Sequence, residues 1–195
     1  MNLPNKLTMF RIVLIPIFIL LLALPVSMGT VVLVGTMIPL NQLLAALVFI
    51  IAALTDFLDG QIARREHLVT NFGKFADPLA DKMIVMSAFI MLVGVGDNNV
   101  AAWIAAIIVC RELAVTGLRL IIVQNNGTVV AADWSGKVKT FFEMISVIIL
   151  LLNNAGFNNL NLPAGQFCLY IALIAAVYSG IEYFVKNRQV FADSF

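Results

Sequence analysis

The chain has 195 residues, about the size of one domain. Hydrophobic residues make up 62% and charged residues 12%, against about 45–50% and about 25% in a soluble domain, and the mean hydropathy is +1.00. These values exclude a disordered chain, a coiled coil and an ordinary soluble enzyme, and a net charge of +1 leaves no basic stripe for nucleic acid.

A bilayer core of about 30 Å needs ~20 apolar residues of helix. Six stretches qualify, over residues 11–24, 42–64, 78–95, 100–123, 140–152 and 164–185. The first extends to 3–24 with its start at the interface, and the fifth is better drawn as 137–154. Lys6 and Arg11 ahead of an apolar run ending in Ala23, Ser27 and Gly29 also have the form of a signal peptide. Cleavage there would leave five spans and spoil the charge pattern that follows, so a retained helix is expected.

Connections 25–41, 94–99 and 153–166 contain no Lys or Arg. The alternate segments carry Lys6 and Arg11, then Arg64, Arg65 and Lys74, then Lys137 and Lys139, and finally Lys186 and Arg188. Basic residues mark the cytoplasmic side. The expected fold is therefore an all-α integral membrane protein of six transmembrane helices with both termini cytoplasmic, forming a single domain over residues 1–195. Cys110 and Cys168 sit in apolar runs without metal-like spacing and read as buried, unpaired thiols. Trp103 and Trp134 fall near span ends, where aromatic residues anchor at the interface.

Four acids break the apolar pattern: Asp56 and Asp59 late in the second span, Asp77 and Asp81 at the start of the third. A charge at mid-span costs about 2.5–3.5 kcal/mol on insertion scales, and less near an end, so the concentration needs a reason. Asp56 and Asp59 are three apart and Asp77 and Asp81 four apart, so each pair shares a helix face. Two helices joined by a short connection can point the pairs at each other. Four converging carboxylates repel unless cations lie between them, and an all-oxygen donor set suits Mg²⁺, Mn²⁺ or Ca²⁺ rather than zinc.

Gly60 and Ala63 leave room for a ligand to approach the helix, and Arg64 can reach an anion there. Metal ligands, a small-residue floor and a cation together suit a metal-bound diphosphate. Each residue also has a plainer reading: Asp77 before Pro78 resembles an N-cap and first helical residue, Asp59 can pair with Arg64 or Arg65, and Gly60 with Ala63 can be a packing surface. The set is harder to explain that way.

Further along, Arg111 and Arg119 lie about two turns apart in the fourth span, and Lys137 and Lys139 begin the fifth. These cations without obvious carboxylate partners suit a phosphorylated ligand, with Arg binding phosphate oxygens as a fork and Lys as a point charge. Local pairing of Arg111 with Glu112 is the plainer alternative. His67, the only His, reads as solvated, and Glu143 and Glu182 as ion-pair partners of nearby bases.

Written out, residues 56–81 read D-x2-D-G-x2-A-R-x8-G-x3-D-x3-D. This ungapped pattern resembles the signature of the CDP-alcohol phosphotransferase family. The resemblance implies six membrane helices, a site facing the cytoplasm, two divalent ions (Mg²⁺ or Mn²⁺), a CDP-linked donor and a homodimer. It assigns Asp56, Asp59, Asp77 and Asp81 to metal binding, Asp81 also to the general base, and Gly60, Ala63 and Arg64 to the donor.

Three other segments resemble members whose donor is CDP-diacylglycerol and whose acceptor is sn-glycerol 3-phosphate: residues 2–11, with Thr8 and Arg11 as further donor contacts; Arg111-Glu112 with Thr116-Gly117-Leu118-Arg119; and Gly136-Lys137-Val138-Lys139-Thr140. The implied protein is a multi-pass enzyme of the plasma membrane, in contact with membrane lipid, that makes a phospholipid and releases CMP, with Arg111, Arg119, Lys137 and Lys139 holding the acceptor phosphate. Inositol phosphate or phosphatidylglycerol as acceptor is the nearest alternative. A small cation transporter using intramembrane carboxylates is the distant one, since it predicts repeat symmetry and a midplane site.

Overall fold

Each apolar stretch of the sequence coincides with one long helix. The computed structural model describes the backbone of residues 3–26, 28–66, 71–95, 100–124, 134–160 and 162–188, and the side chains of these except 3–5, 56–78, 81, 123–124 and 159. The helices are α1 (Leu3–Ala23), α2 (Leu40–Glu66), α3 (Asn71–Leu92), α4 (Ala102–Gln124), α5 (Trp134–Leu151) and α6 (Ala164–Lys186). A hairpin of β1 (Thr30–Leu33) and β2 (Thr36–Pro39) joins α1 to α2.

α1 shows how the pattern builds the bundle. Thr8, Arg11, Ile15, Phe18 and Leu22, spaced three and four apart, are buried, whereas Phe10, Val13, Ile17 and Leu20 are exposed. The outer face is as apolar as the inner one, as expected of a helix whose outer solvent is lipid. The other helices likewise expose large apolar residues, among them Ile51, Ile90, Leu113, Phe141 and Ile174. Pro16 lies inside α1 without ending it. The segments Lys6–Ala23 and Ala164–Lys186 are each long and apolar enough to cross a membrane. Leu40–Thr55 and Lys82–Leu92 are shorter apolar helical segments among the described residues.

Around the bundle the helices touch in the order α1, α2, α5, α6, α4, α3 and back to α1, and α3 meets α5 across the middle. The core contains Phe18, Phe49, Phe89, Leu92, Ile104, Ile108 and Leu151. α5 and α6 pack most extensively. Their approach depends on Gly165, where a Cβ would lie 2.8 Å from Leu150 Cδ2, the close-contact use of small residues common between membrane helices.

Three expectations need correction. The hairpin departs from an all-α chain. α3 starts at Asn71 rather than at Pro78, so Asp77 lies inside the helix and is not its N-cap. Cys110 is exposed, and Cys168 only half-buried, because an apolar run does not distinguish the core from an outward face.

Candidate active site

A cavity of about 150 Å³ opens between α3, α4, α5 and α6. Among the described residues, its cations are Lys82, Arg111, Arg119, Lys139 and Lys186, against the carboxylates Glu112 and Glu182, five positive groups to two negative. Glu112 is 6% exposed and occupies the centre. Its Oε1 accepts from Arg111 Nη1 at 2.6 Å and from Lys139 Nζ, and its Oε2 lies 3.8 Å from Lys82 Nζ.

Each of the three cations around Glu112 has a second tether. Arg111 Nη2 donates to Ser179 Oγ at 2.8 Å and its Nε to the Ala176 carbonyl at 3.1 Å, which fixes the guanidinium against α6. Gly180 leaves room for that crossing: a Cβ there would lie 3.2 Å from Arg111 Cγ, close enough that the stem would have to give. Lys139 Nζ also meets Glu143 Oε2 at 3.1 Å, and Lys82 Nζ donates to Thr116 Oγ1. At the mouth, Glu182 pairs with Lys186 at 2.9 Å and accepts from Ser135 Oγ at 2.8 Å. Among the described residues, the buried Nε of Arg119 has no hydrogen-bond partner. Net positive charge, fixed forks and an unused donor suit a small anion.

Of the sequence-derived anion set, Arg111, Arg119 and Lys139 line this cavity, whereas Lys137 is exposed and does not. Sequence reasoning missed Lys82 and Lys186 as cavity cations and Gly180 as a packing requirement. It saw Glu112 only as a local partner of Arg111. The one available signal for Lys82 was its place immediately after Asp81. Glu143 and Glu182 pair with bases, as expected. Thr8 and Arg11 are fully buried on α1.

The side chains of Asp56, Asp59, Gly60, Ala63, Arg64, Asp77 and Asp81 lie outside the described residues, as does His67 altogether. The helices that carry the acids are described, and both run uninterrupted through them. Helical spacing therefore holds for both pairs, one turn apart in each case. The four Asp are carried on two touching helices, and carboxylate oxygens are the donors that hard divalent cations take.

Comparison with known proteins identifies the family. The profile of the CDP-alcohol phosphatidyltransferase family matches residues 1–178. A Bacillus subtilis (strain 168) protein named CDP-diacylglycerol–glycerol-3-phosphate 3-phosphatidyltransferase is 46% identical over 193 residues, covering 99% of this chain and 98% of that relative. Relatives of the same name are 37% identical in Rickettsia bellii, over 97% of both chains, and 33% identical in Escherichia coli K12, over 98% of both. With the signature acids on two adjoining helices and the match running almost end to end, the chain belongs to the CDP-alcohol phosphatidyltransferase family.

Proposed function

We propose that the chain transfers the phosphatidyl group of CDP-diacylglycerol to sn-glycerol 3-phosphate, forming phosphatidylglycerophosphate and CMP. The observation that carries the acceptor assignment is the cationic cavity, whose wall includes Lys82, the residue directly after Asp81. A phosphomonoester held by Arg111, Arg119 and Lys139 would sit beside the helix turn that supplies the base. Relatives named for this reaction align over the whole chain.

Asp56, Asp59, Asp77 and Asp81 would hold two divalent cations, Mg²⁺ or Mn²⁺. When bound, these ions supply charge neutralisation for the diphosphate and the departing phosphate. Arg64 pairs with donor phosphate, Gly60 and Ala63 leave space for the nucleotide, and Thr8 and Arg11 complete the donor side from α1. Asp81 accepts the proton of the acceptor hydroxyl, whose oxygen attacks the lipid-bearing phosphorus as CMP leaves. No fixed position of the signature is a Ser, Cys or His, so attack is direct, through a ternary complex and with inversion at phosphorus.

The protein is a single multi-pass domain of the plasma membrane, with six crossing helices, both termini and the active site cytoplasmic, and a homodimeric assembly. The topology is supported by the bond from Asn158 Nδ2 to Thr36 Oγ1, 3.2 Å. It joins the α1–α2 and α5–α6 connections at one end of the bundle, and neither connection contains Lys or Arg.

The test is CMP release by purified protein supplied with CDP-diacylglycerol, Mg²⁺ and a panel of acceptors. Release is expected with glycerol 3-phosphate and is lost in EDTA. Selective release with inositol phosphate or phosphatidylglycerol would keep the chemistry and overturn the acceptor. No release from folded protein with any acceptor would overturn the reaction.

A further inference from the structure

We propose that Glu112 is the positioning residue of the acceptor site: one buried carboxylate sets the geometry of three cavity-lining cations delivered by three helices. The inference rests on the acceptor reading above and deepens it.

The cations reach Glu112 from different directions, Lys82 from α3, Arg111 from α4 and Lys139 from α5. Three like charges gathered around a small cavity repel, and two of them end flexible four-carbon stems. A shared anion between them replaces that repulsion with directed bonds. Glu112 divides the work between its oxygens, with Oε1 taking Arg111 and Lys139 and Oε2 facing Lys82. Its burial keeps these interactions from being screened. Both partners on Oε1 have further tethers, Arg111 on Ser179 and Lys139 on Glu143, so the carboxylate closes a frame rather than making an isolated pair. The frame stays cationic, and the phosphate can add to it without displacing the carboxylate.

Positioning and simple neutralisation predict opposite signs. Glu112→Gln keeps the shape and removes one negative charge from the cavity. If Glu112 only tempered the field, the variant would bind an anionic acceptor more tightly. If it holds the cations in place, their loss of order outweighs the added charge and the acceptor binds more weakly.

The experiment compares the wild type, Glu112→Gln and Glu112→Asp as purified full-length proteins. It measures kcat, KM for glycerol 3-phosphate, KM for CDP-diacylglycerol and competitive inhibition by inorganic phosphate. The expected result for Glu112→Gln is a rise in acceptor KM of roughly tenfold or more, a parallel weakening of phosphate inhibition, and a donor KM within about twofold of the wild type. An unchanged or lower acceptor KM, or donor and acceptor KM rising together, overturns the proposal. Should Glu112→Gln fail to fold, Glu112→Asp decides: it keeps the charge but is one methylene too short to serve both sides, so the same selective rise supports positioning and a wild-type KM overturns it. If the wild type uses another phosphorylated acceptor instead, the acceptor identity falls alone, and the same comparison with that acceptor still decides the role of Glu112.

Discussion

Arg111 makes bonds to three partners, Glu112, Ser179 and the Ala176 carbonyl, and only a guanidinium has the donors in a plane to do so. Its stem passes Gly180 with no slack, since a Cβ there would meet Arg111 Cγ at 3.2 Å and Nε at 3.5 Å. Gly180→Ala is therefore expected to shift the arginine rather than the helix. The acceptor KM should rise several-fold while the donor KM holds, and stability should change by less than about 1 kcal/mol, because the helix propensity that Ala gains over Gly offsets the modest overpacking. Steady-state kinetics and thermal unfolding in detergent check the two parts, and an unchanged acceptor KM would mean that Arg111 is not confined by this contact. The contrast between Arg111 and Glu112 also explains what was legible in the sequence. An Arg deep in an apolar run demands a purpose, so Arg111 and Arg119 stand out, as do the four acids. Glu112 beside an Arg looks satisfied locally, and its other partners come from 27 and 30 residues away, Lys139 and Lys82. Only the meeting of α3, α4 and α5 reveals it as a hub.

At the scale of elements, the β1–β2 hairpin turns through Val34 and Gly35, both with positive φ, +49° and +76°. Two successive positive values are the signature of a type I′ turn, which matches the strand twist and favours Asn-Gly. Val34 is β-branched, and such a residue in the left-handed region is strained by roughly 1–2 kcal/mol. Val34→Asn should stabilise the protein by about 1 kcal/mol, read as a higher midpoint of thermal unfolding in detergent. A lower midpoint would show that the exposed valine contributes contacts worth more than the strain. The same residue accounts for the hairpin's absence from the sequence reading. Thr-Val-Val-Leu-Val-Gly-Thr-Met-Ile-Pro has no Asn-Gly or Asp-Gly and little alternation, so it merges with the apolar runs on either side. α3 failed at its boundary for a different reason. Asp77-Pro78 carries the local marks of a helix start, yet the helix begins at Asn71, and membrane helices commonly accommodate an internal proline.

For the molecule as a whole, the sequence carried the helix number and order, because apolar length and the placement of Lys and Arg are global signals that tolerate local ambiguity. It could not say how the helices assemble, and the closed ring with α3 against α5 is what brings residues from four helices to one cavity. The two ends of this bundle differ in kind. At one end lie the hairpin and the α5–α6 connection, tied by Asn158 and Thr36 and free of Lys and Arg. Lys137, exposed in the first turn of α5, should lie at the other, because the rest of that helix, to Leu151, is about 21 Å long and separates it from the α5–α6 connection. Since basic residues are retained on the cytoplasmic side, the hairpin should face outward. In a background of Cys110→Ala and Cys168→Ala, single cysteines at Val34→Cys and Lys137→Cys test this directly. A membrane-impermeant maleimide applied to intact cells should label the hairpin cysteine, and the one on α5 only after permeabilisation. The reverse pattern would invert the topology and put the cationic cavity outside the cell, away from the cytoplasmic pool of CDP-linked donor and phosphorylated acceptor that the proposed reaction requires. Labelling of both sites in intact cells would mean that α5 does not separate its two ends across the bilayer, and the count of crossing helices would have to fall.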